Sequence, residues 1–570
     1  MRQESKQKLS NYIDLFIFFI QVDIFIWVLF EIGRPFRPLV YDAGWAIVVL
    51  TLVELCSSFL FNPFPRYFLK RSWRHLIILG MIIYACILFS RVPASHKYLF
   101  PYSRIFLGFI ELMVFVKFML NLSRLSEIFN SFRVSPAQLI IFSFVTIILL
   151  GSFLLYLPYS RPGGTSMRYI DALFTSTSAV CVTGLVVVDT GTAFSRLGQF
   201  FIVFLIQAGG LGIMTIAAFI QVSLGSQMSV YGRFSTASFL GQSDLRNLYT
   251  IIRSIVVITF IFEAVGTLLF LPFFRGRVNN TGEAAFYSLF HAISAFCNAG
   301  FALYPDSFMG AKFNIPANSV LIILIVTGGF GFTVLLNLAG KITRGENERI
   351  SVQTRMVVIA SMWFLVIGGI GFWVFEKNHI LAGMRPYQKI MASFFQSTTA
   401  RTAGFNTIDT GLLRPITLFM LSILMFIGAS PGSTGGGIKT TTFFILVLSI
   451  ITIFRDQRFN TIFRRRIPFQ VVNRAFAILI ASMGVVIGST LLLGVFEDFS
   501  FIRIYFEAVS AFGTVGLTTG ITPHLSDLGK IIIMLTMFTG RLGPLTMVLA
   551  VRNLQRTAPV LYPTERLMVG

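Results

Sequence analysis

A short element that is rich in hydroxyl residues and closes on a glycine occurs four times in this chain. A serine or threonine lies six positions before each glycine, and a phenylalanine lies ten positions before it. Taken in chain order as glycine, hydroxyl residue and phenylalanine, the four sets are Gly184, Ser178 and Phe174; Gly300, Ser294 and Phe290; Gly404, Thr398 and Phe394; and Gly516, Ser510 and Phe506. The glycines are 116, 104 and 112 residues apart, which is the size of a repeated structural unit.

The composition is that of an integral membrane protein. Hydrophobic residues make up 55% of the chain and charged residues only 12%, whereas soluble domains carry about 25% charged residues. Apolar runs that are long enough to span a bilayer recur from one end to the other. The net charge of +22 could suggest a nucleic-acid partner, but the basic residues gather in alternate loops. That alternation follows the positive-inside rule, so we expect cytoplasmic termini and no nucleic-acid binding.

Each copy of the element lies in the same order of parts, which predicts the architecture. An apolar span precedes a short semi-polar segment that ends at the glycine, and a turn and a second span follow. Half-helices of this kind are tolerated at membrane depth only where protein or a water-filled cavity surrounds them. We therefore expect an all-α integral membrane protein with four tandem helix–pore-loop–helix repeats around one pseudo-fourfold pore. The expected divisions are an N-terminal bundle of about four transmembrane helices at 1–134 and repeats at 135–235, 236–345, 346–465 and 466–570.

The residues that lead up to each glycine have the properties of an ion-selectivity filter. The fourth copy contains Thr514-Val515-Gly516, the first three letters of the potassium-channel filter TVGYG. Such a filter binds a dehydrated ion through backbone carbonyls, so its side chains can vary, whereas glycine permits φ values that a side chain would resist. The predicted K⁺ ligands are the backbone carbonyls of Val182, Thr183, Gly184, Asn298, Ala299, Gly300, Thr402, Ala403, Gly404, Thr514, Val515 and Gly516.

Three of the four turns that follow the glycines carry an aspartate: Asp189, Asp306 and Asp409. One interpretation is an acidic ring that concentrates cations at the outer mouth. The other is that each aspartate forms an Asx turn and caps the next helix. We favour the cap, because the fourth turn has no acidic residue.

A gate is predicted below the filter. Residues 428–442 (GASPGSTGGGIKTTT) interrupt the second span of the third repeat and cannot continue a helix in hydrocarbon, so we expect a mobile constriction there. The glycines in the other second spans are interpreted as sites of close helix packing within continuous spans. Arg541 is costly within a membrane and is expected to face the pore, the alternative being an ion pair with Glu263 or Glu507. The candidate gate residues are Gly432, Gly435, Gly436, Gly437, Lys439 and Arg541.

Residues 135–570 resemble the Trk/Ktr/HKT superfamily of potassium-transporting subunits. The resemblance rests on the sequences VTGLVVVDTGT (182–192), STTARTAGFNTIDTG (397–411), GASPGSTGGGIKTTTF (428–443), FGTVGLTTG (512–520) and TGRLGPLT (539–546), and the closing YPTERLMVG is similar to Ktr-type subunits. The resemblance implies a homodimer with one pore per chain and a cytosolic nucleotide-binding ring subunit as partner. It also implies that glycine at position 184 favours K⁺, because relatives that pass Na⁺ carry serine there. The four spans before the first repeat depart from the family pattern.

These observations predict potassium uptake across the cytoplasmic membrane by channel-like permeation, with membrane lipid as the surroundings and no bound cofactor. Coupling to Na⁺, or weaker discrimination between Na⁺ and K⁺, is an alternative with the same architecture. A transporter that alternates between two states would be built from inverted repeats, but all four repeats here begin on the basic side. We expect no enzymatic activity, because no nucleophile, metal site or acid–base pair has a recognisable spacing.

Overall fold

The computed structural model describes residues 136–551, except 165–166, 213–214, 216–247, 279, 345–348 and 458, together with single positions at 49, 80 and 83. Apart from those single positions, the expected N-terminal bundle lies outside the described residues, as does the C-terminal sequence YPTERLMVG. The described part of the chain is predominantly helical, which confirms the expected fold class at that level. A hairpin of two short antiparallel strands, β1 (Thr461–Ile462) and β2 (Arg465–Arg466), pairs Thr461 with Arg466.

The same succession of a long helix, a shorter helix and a third helix is found four times. The first set is α1 (Pro136–Tyr156), α2 (Tyr169–Val180) and α3 (Arg196–Leu211). The second is α4 (Leu248–Arg275), α5 (Thr281–Phe296) and α6 (Ile315–Phe330), which α7 (Phe332–Arg344) continues. The third is α8 (Val352–Glu376), α9 (Pro386–Thr399), α10 (Pro415–Phe426) and, after a loop, α11 (Thr440–Phe454). The fourth is α12 (Phe469–Phe496), α13 (Phe501–Gly513), α14 (Asp527–Leu542) and α15 (Pro544–Val551).

Several helices are apolar enough to cross a membrane. By length and composition, three of the described helices qualify alone: Thr250–Arg275, Val352–Glu376 and Phe469–Phe496. The bent pair Ile315–Phe330 and Phe332–Ile342 qualifies together, with an angle of 102° at the break. The shorter helices α2, α5, α9 and α13 pack with their neighbours inside the protein, and their last turns are buried. This burial is what a half-helix needs in order to end within a membrane.

Local sequence explains where the third helices begin. Ser195, Asn314 and Ser526 are N-caps whose side-chain oxygens accept hydrogen bonds from the backbone N–H groups of the first turn, at 3.3, 2.9 and 3.1 Å. These are preferred residue types at this position because the first N–H groups of a helix have no partner within it. Helix α10 begins instead with Pro415, whose fixed φ suits the first helical position.

The expectation that the second spans of the first, second and fourth repeats are continuous helices is wrong. Helices α3, α6 and α14 each end at a glycine with left-handed φ: Gly212 at 81°, Gly331 at 86° and Gly543 at 84°. A residue with a Cβ would resist these values, so glycine permits the break. In the third set, residues 427–439 separate α10 from α11. A break therefore follows the third helix of every set.

Other glycines of these helices do serve close packing. A Cβ built on Gly209, Gly328 or Gly540 would lie within 3.0 Å of a backbone carbonyl oxygen in the last turn of α2, α5 or α13 respectively. Real Cβ atoms do not approach so closely. The glycines thus let each third helix touch the end of the shorter helix of its own set, and this supports the packing interpretation of the sequence.

Candidate functional site

The four glycine loops share one backbone conformation. In each loop the glycine has a φ between 70° and 90°, and the residue two positions earlier also has a positive φ. Those earlier residues are Val182 at 57°, Asn298 at 59°, Thr402 at 68° and Thr514 at 48°. Positive φ is rare for residues with a Cβ, particularly for β-branched ones, and such strain persists only where the surroundings enforce it. Because the same unusual backbone conformation recurs in all four loops, it is a shared structural feature of the site.

The four loops meet in a closed ring. A Cβ built on each glycine would lie within 3.0 Å of the carbonyl oxygen that precedes the glycine of the next loop. In order around the ring, Gly184 meets Ala299, Gly300 meets Ala403, Gly404 meets Val515, and Gly516 meets Thr183. The structure thus brings together all four predicted triplets, although they lie far apart in the sequence. It leaves no room for a side chain at any of the four glycines.

Backbone hydrogen bonds anchor each loop to the end of its own short helix. The N–H groups of Thr183, Ala299 and Val515 donate to the carbonyls of the serines at 178, 294 and 510, at 2.8, 2.7 and 2.9 Å. These serines are the hydroxyl residues that the repeated sequence predicts. The carboxyl ends of α2, α5 and α13 therefore lie next to the ring, and the negative end of a helix dipole favours a cation there.

In the third loop, one residue fewer lies between the hydroxyl residue of the short helix and the glycine than in the other three loops. Ala403 donates to the carbonyl of Thr399 at 3.0 Å, and the Thr399 hydroxyl donates to the carbonyl of Phe405, as Ser294 does to Phe301. The buried phenylalanine of α9 is Phe395, whereas Phe394 is 38% exposed. The assignments of Thr398 and Phe394 to the repeated positions are therefore wrong, because alignment on the glycine hides a deletion before it.

The aspartates of the turns after the glycines bond to nearby backbone, and two of them are N-caps. Asp189 and Asp409 are N-caps that accept hydrogen bonds from the N–H groups of Thr192 and Gly411, both at 2.8 Å. The carboxylate of Asp306 accepts from the N–H of Gly310 at 3.1 Å. These bonds support the favoured interpretation, in which local backbone geometry explains the three carboxylates.

The 428–442 segment lies against the ring from the side of the broken helices. A Cβ built on Gly435 or Gly436 would lie within 3.0 Å of the hydroxyl oxygens of Thr402 and Thr514 respectively. The Gly436 N–H donates to the Thr514 hydroxyl at 2.9 Å. Thr434 donates to carbonyls of the second set, Phe296 at 3.4 Å and Gly328 at 3.3 Å.

The remaining glycines of the segment shape it. Gly432 and Gly437 have φ values of 68° and 69°, and the Gly432 carbonyl accepts from the N–H of Phe332 at 2.9 Å, next to the break between α6 and α7. The segment is thus an ordered loop that touches the second, third and fourth sets.

Two cationic side chains hold neighbouring carbonyls of this segment. Arg541, in the last turn of α14, donates to the carbonyl of Thr434 and also to that of Gly209 in α3. Lys439 donates to the carbonyl of Gly435 at 2.7 Å and so bonds within its own segment. Arg541 therefore connects the segment to the first and fourth sets. The alternative of an ion pair with Glu263 or Glu507 does not describe this structure, because Glu263 accepts from the Cys297 thiol and Glu507 bonds to threonines of the fourth loop.

A buried ion pair connects the first and fourth sets of helices. Lys530 of α14 donates to the carboxylate of Asp171 in the first turn of α2 at 2.7 Å, and both residues are buried. The two are 359 residues apart, so no local sequence pattern indicates the pair. An exposed pair between Arg168 and Asp527 lies beside the same two helices.

Comparisons with known proteins identify the family to which the chain belongs. Residues 101–558 match the family model described as TrkH, cation transport protein. The chain is 37% identical over 443 residues to the Ktr system potassium uptake protein B of Bacillus subtilis, which covers 77% of this chain and 97% of that protein. It is 34% identical over 449 residues to the potassium/sodium uptake protein NtpJ of Enterococcus hirae, with coverage of 77% and 98%.

Among solved structures, the potassium transporter TrkH from Vibrio parahaemolyticus matches with a TM-score of 0.59 at 15% identity, over 90% of this chain and 97% of that one. At this identity the match bears on the fold alone. The family match, which spans most of the chain, is decisive: the protein belongs to the TrkH family of cation transport proteins, as its motifs indicate.

Proposed function

We propose that this protein takes up K⁺ across the cytoplasmic membrane by channel-like permeation through a filter formed by the four glycine loops. The observation that carries the proposal is the closed ring, in which every glycine lies against the carbonyl of the next loop. The name of the Bacillus subtilis relative, a potassium uptake protein that aligns over 97% of its length, supports the same substrate.

The backbone of the loops is suited to coordinating a dehydrated cation. Positive φ at the first and third residue of each triplet, but not at the second, turns successive carbonyls toward one side of the loop. In an ordinary strand, successive carbonyls alternate between sides. Four such loops around one axis provide stacked rings of oxygens that replace the hydration shell of K⁺. The triplets at 182–184, 298–300, 402–404 and 514–516 are the proposed ligands.

We propose that residues 428–442 form the gate of this pathway. Gly435 and Gly436 lie directly against the first residues of the third and fourth triplets, so an ion leaving the filter meets this loop. Arg541 holds the loop through the Thr434 carbonyl and places a positive charge beside the path. Movement of the loop away from Thr402 and Thr514, with release of Arg541, would open the route.

The membrane potential is sufficient to drive accumulation. Moving one positive charge inward through 100 mV releases about 2.3 kcal/mol. At about 1.4 kcal/mol per decade, this supports roughly a 50-fold concentration ratio. Uptake through the ring therefore needs no chemical step within this chain.

The sequence and the names of the relatives together support a proposal for the wider assembly. We propose the division into an N-terminal bundle at 1–134 and repeats at 135–235, 236–345, 346–465 and 466–570, with both termini in the cytoplasm. The name of the Bacillus subtilis relative refers to a Ktr system, which supports a separate cytosolic nucleotide-binding ring subunit as partner. A homodimer with one pore per chain completes the proposal.

A second candidate is transport of both Na⁺ and K⁺, or uptake of K⁺ coupled to Na⁺. The name of the Enterococcus hirae relative, a potassium/sodium uptake protein, favours it. The two candidates differ in whether Na⁺ moves. Glycine rather than serine at position 184 is the feature that favours K⁺ alone.

Growth of a bacterial strain that lacks its own potassium uptake tests the proposal. The full chain, expressed with a Ktr-type ring subunit, should restore growth at low K⁺ with or without Na⁺. Rescue that requires Na⁺, together with measured entry of ²²Na⁺, would support the second candidate. An abundant, membrane-inserted chain that moves neither ion would contradict both.

A further inference from the structure

A buried carboxyl group lies behind the outer end of the fourth glycine loop. Glu507 is in α13 and is fully buried. Its Oε1 accepts hydrogen bonds from the Thr518 hydroxyl and from the backbone N–H of Thr519, the latter at 3.0 Å, and its Oε2 accepts from the Thr522 hydroxyl at 3.0 Å. The carboxylate therefore holds three donors from the segment that begins two residues after Gly516.

The second loop has a different residue in the same role. His291 lies nine positions before Gly300, just as Glu507 lies nine positions before Gly516. Its Nε2 accepts from the N–H of Leu303 at 3.2 Å, and its Nδ1 donates to the Tyr287 carbonyl at 2.7 Å. Leu303 and Thr519 each lie three residues after their glycine. In the second and fourth loops, this position of the short helix therefore supports the segment that follows the glycine.

This support acts on a strained backbone. Thr514 has a φ of 48°, which is costly for a β-branched residue and persists only where the surroundings enforce it, whereas glycine adopts the 90° of Gly516 readily. The Val515 N–H bond to Ser510 fixes the inner end of the triplet. The Glu507 bonds fix the outer end, and the Thr518 carbonyl accepts from Thr410 of the third loop at 2.6 Å. Loss of the Glu507 bonds would therefore free the outer half of the fourth loop and its contact with the third.

We propose that Glu507 is a positioning residue that sets the preference of the filter for K⁺ over Na⁺. The proposal rests on the proposed function and deepens it. Selectivity among similar cations depends on the number and placement of carbonyl ligands. Glu507 does not touch the ion; it keeps the Val515 and Gly516 carbonyls in place by holding the strand that follows them.

A matched control is present in the same protein. Glu376, at the end of α8, is also fully buried and also holds three donors: the N–H of Arg414 at 3.0 Å, the Thr417 hydroxyl at 2.5 Å and His379 Nδ1 at 2.8 Å. These bonds connect helices α8 and α10 rather than a glycine loop. A merely structural role for Glu507 would make the two glutamates equivalent.

The test compares Glu507→Gln with Glu376→Gln in the full chain, expressed with a Ktr-type ring subunit in the uptake-deficient strain. Initial rates of K⁺ and ²²Na⁺ entry are measured and divided by the amount of chain in the membrane. The amide of Glu507→Gln keeps one acceptor oxygen for the Thr518 hydroxyl and the Thr519 N–H, but its NH₂ group can bond to Thr522 only if that hydroxyl turns to accept, and the negative charge is lost. We expect its K⁺/Na⁺ rate ratio to fall about tenfold or more, which corresponds to losing one hydrogen bond to a charged group.

The Glu376→Gln chain should keep the wild-type ratio even if less of it reaches the membrane. An unchanged ratio in Glu507→Gln, or an equal fall in both variants, would overturn the proposal. If Glu507→Gln does not reach the membrane, Thr522→Val removes one donor at constant shape, and Thr417→Val is its match at Glu376. A smaller fall in the ratio for Thr522→Val alone is expected, and no fall would overturn the proposal. Absence of K⁺ entry with the wild-type chain would instead refute the proposed function.

Discussion

Replacing Arg541 with glutamine is expected to raise the resting flux of K⁺ by loosening the gate. The guanidinium donates to the carbonyls of Thr434 and Gly209 and so ties the 428–442 segment to α3 and α14. A hydrogen bond that involves a charged group contributes about 1.5–3 kcal/mol. Only the Thr434 bond must break when the loop moves, so its loss shifts the balance between closed and open loop by about 1.5–3 kcal/mol, or roughly 10- to 150-fold. The rate reaches its ceiling once the loop is mostly open.

The assay is uptake of ⁸⁶Rb⁺ as a K⁺ analogue into liposomes that contain the purified chain without a ring subunit. Arg541→Lys separates the two contributions of the arginine, since it keeps the charge but lacks the guanidinium's paired donors. An intermediate rate is expected for Arg541→Lys. Lys439→Met should have a smaller effect than Arg541→Gln, because the bond that Lys439 makes to Gly435, at 2.7 Å, lies within its own segment. A rate for Arg541→Gln at or below the wild-type value would refute the idea that the arginine holds the loop closed.

Two further predictions concern stability, measured as thermal unfolding of the purified chain in detergent. Asp171→Asn leaves the Lys530 ammonium buried without a counter-charge and should destabilise the protein by about 3–5 kcal/mol, whereas Asp171→Leu combined with Lys530→Met should recover most of the loss. An unchanged midpoint for Asp171→Asn would contradict the pairing. Phe395→Ala should cost about 3–5 kcal/mol because the ring is buried, and Phe394→Ala much less; the reverse order would contradict the one-residue deletion in the third loop.

The sequence predicts the ring well because its determinants are local. Each loop needs a glycine, which permits positive φ, and a hydroxyl residue in the short helix before it. Because these residue types recur at nearly the same spacing, the four triplets can be recognised without knowledge of their contacts. The third loop shows the limit of this reasoning. Alignment on Gly404 assigns Thr398, but the backbone uses Thr399, because a deletion between the helix and the glycine leaves no trace in a single sequence.

Other features depend on contacts between distant parts of the chain. The glycines at 212, 331 and 543 look like packing positions in sequence, and only the backbone shows that each ends a helix. The Lys530–Asp171 pair joins the first set to the last, and neither residue stands out by itself. Arg541 is recognisable as unusual from its place in an apolar span, but its carbonyl partners belong to two other segments.

The K⁺/Na⁺ flux ratio of Gly184→Ser tests the filter most directly. The matched control is Gly383→Ser, since Gly383 also has a positive φ, 76° against 89° for Gly184, but a Cβ there would meet nothing within 4 Å. Both substitutions introduce backbone strain, and only that at Gly184 also pushes against the Ala299 carbonyl. We expect the ratio to fall at least tenfold in Gly184→Ser and to stay at the wild-type value in Gly383→Ser, a difference of about 1.4 kcal/mol in ion preference. A well-folded Gly184→Ser chain with the wild-type ratio would contradict the claim that the four-glycine ring selects potassium.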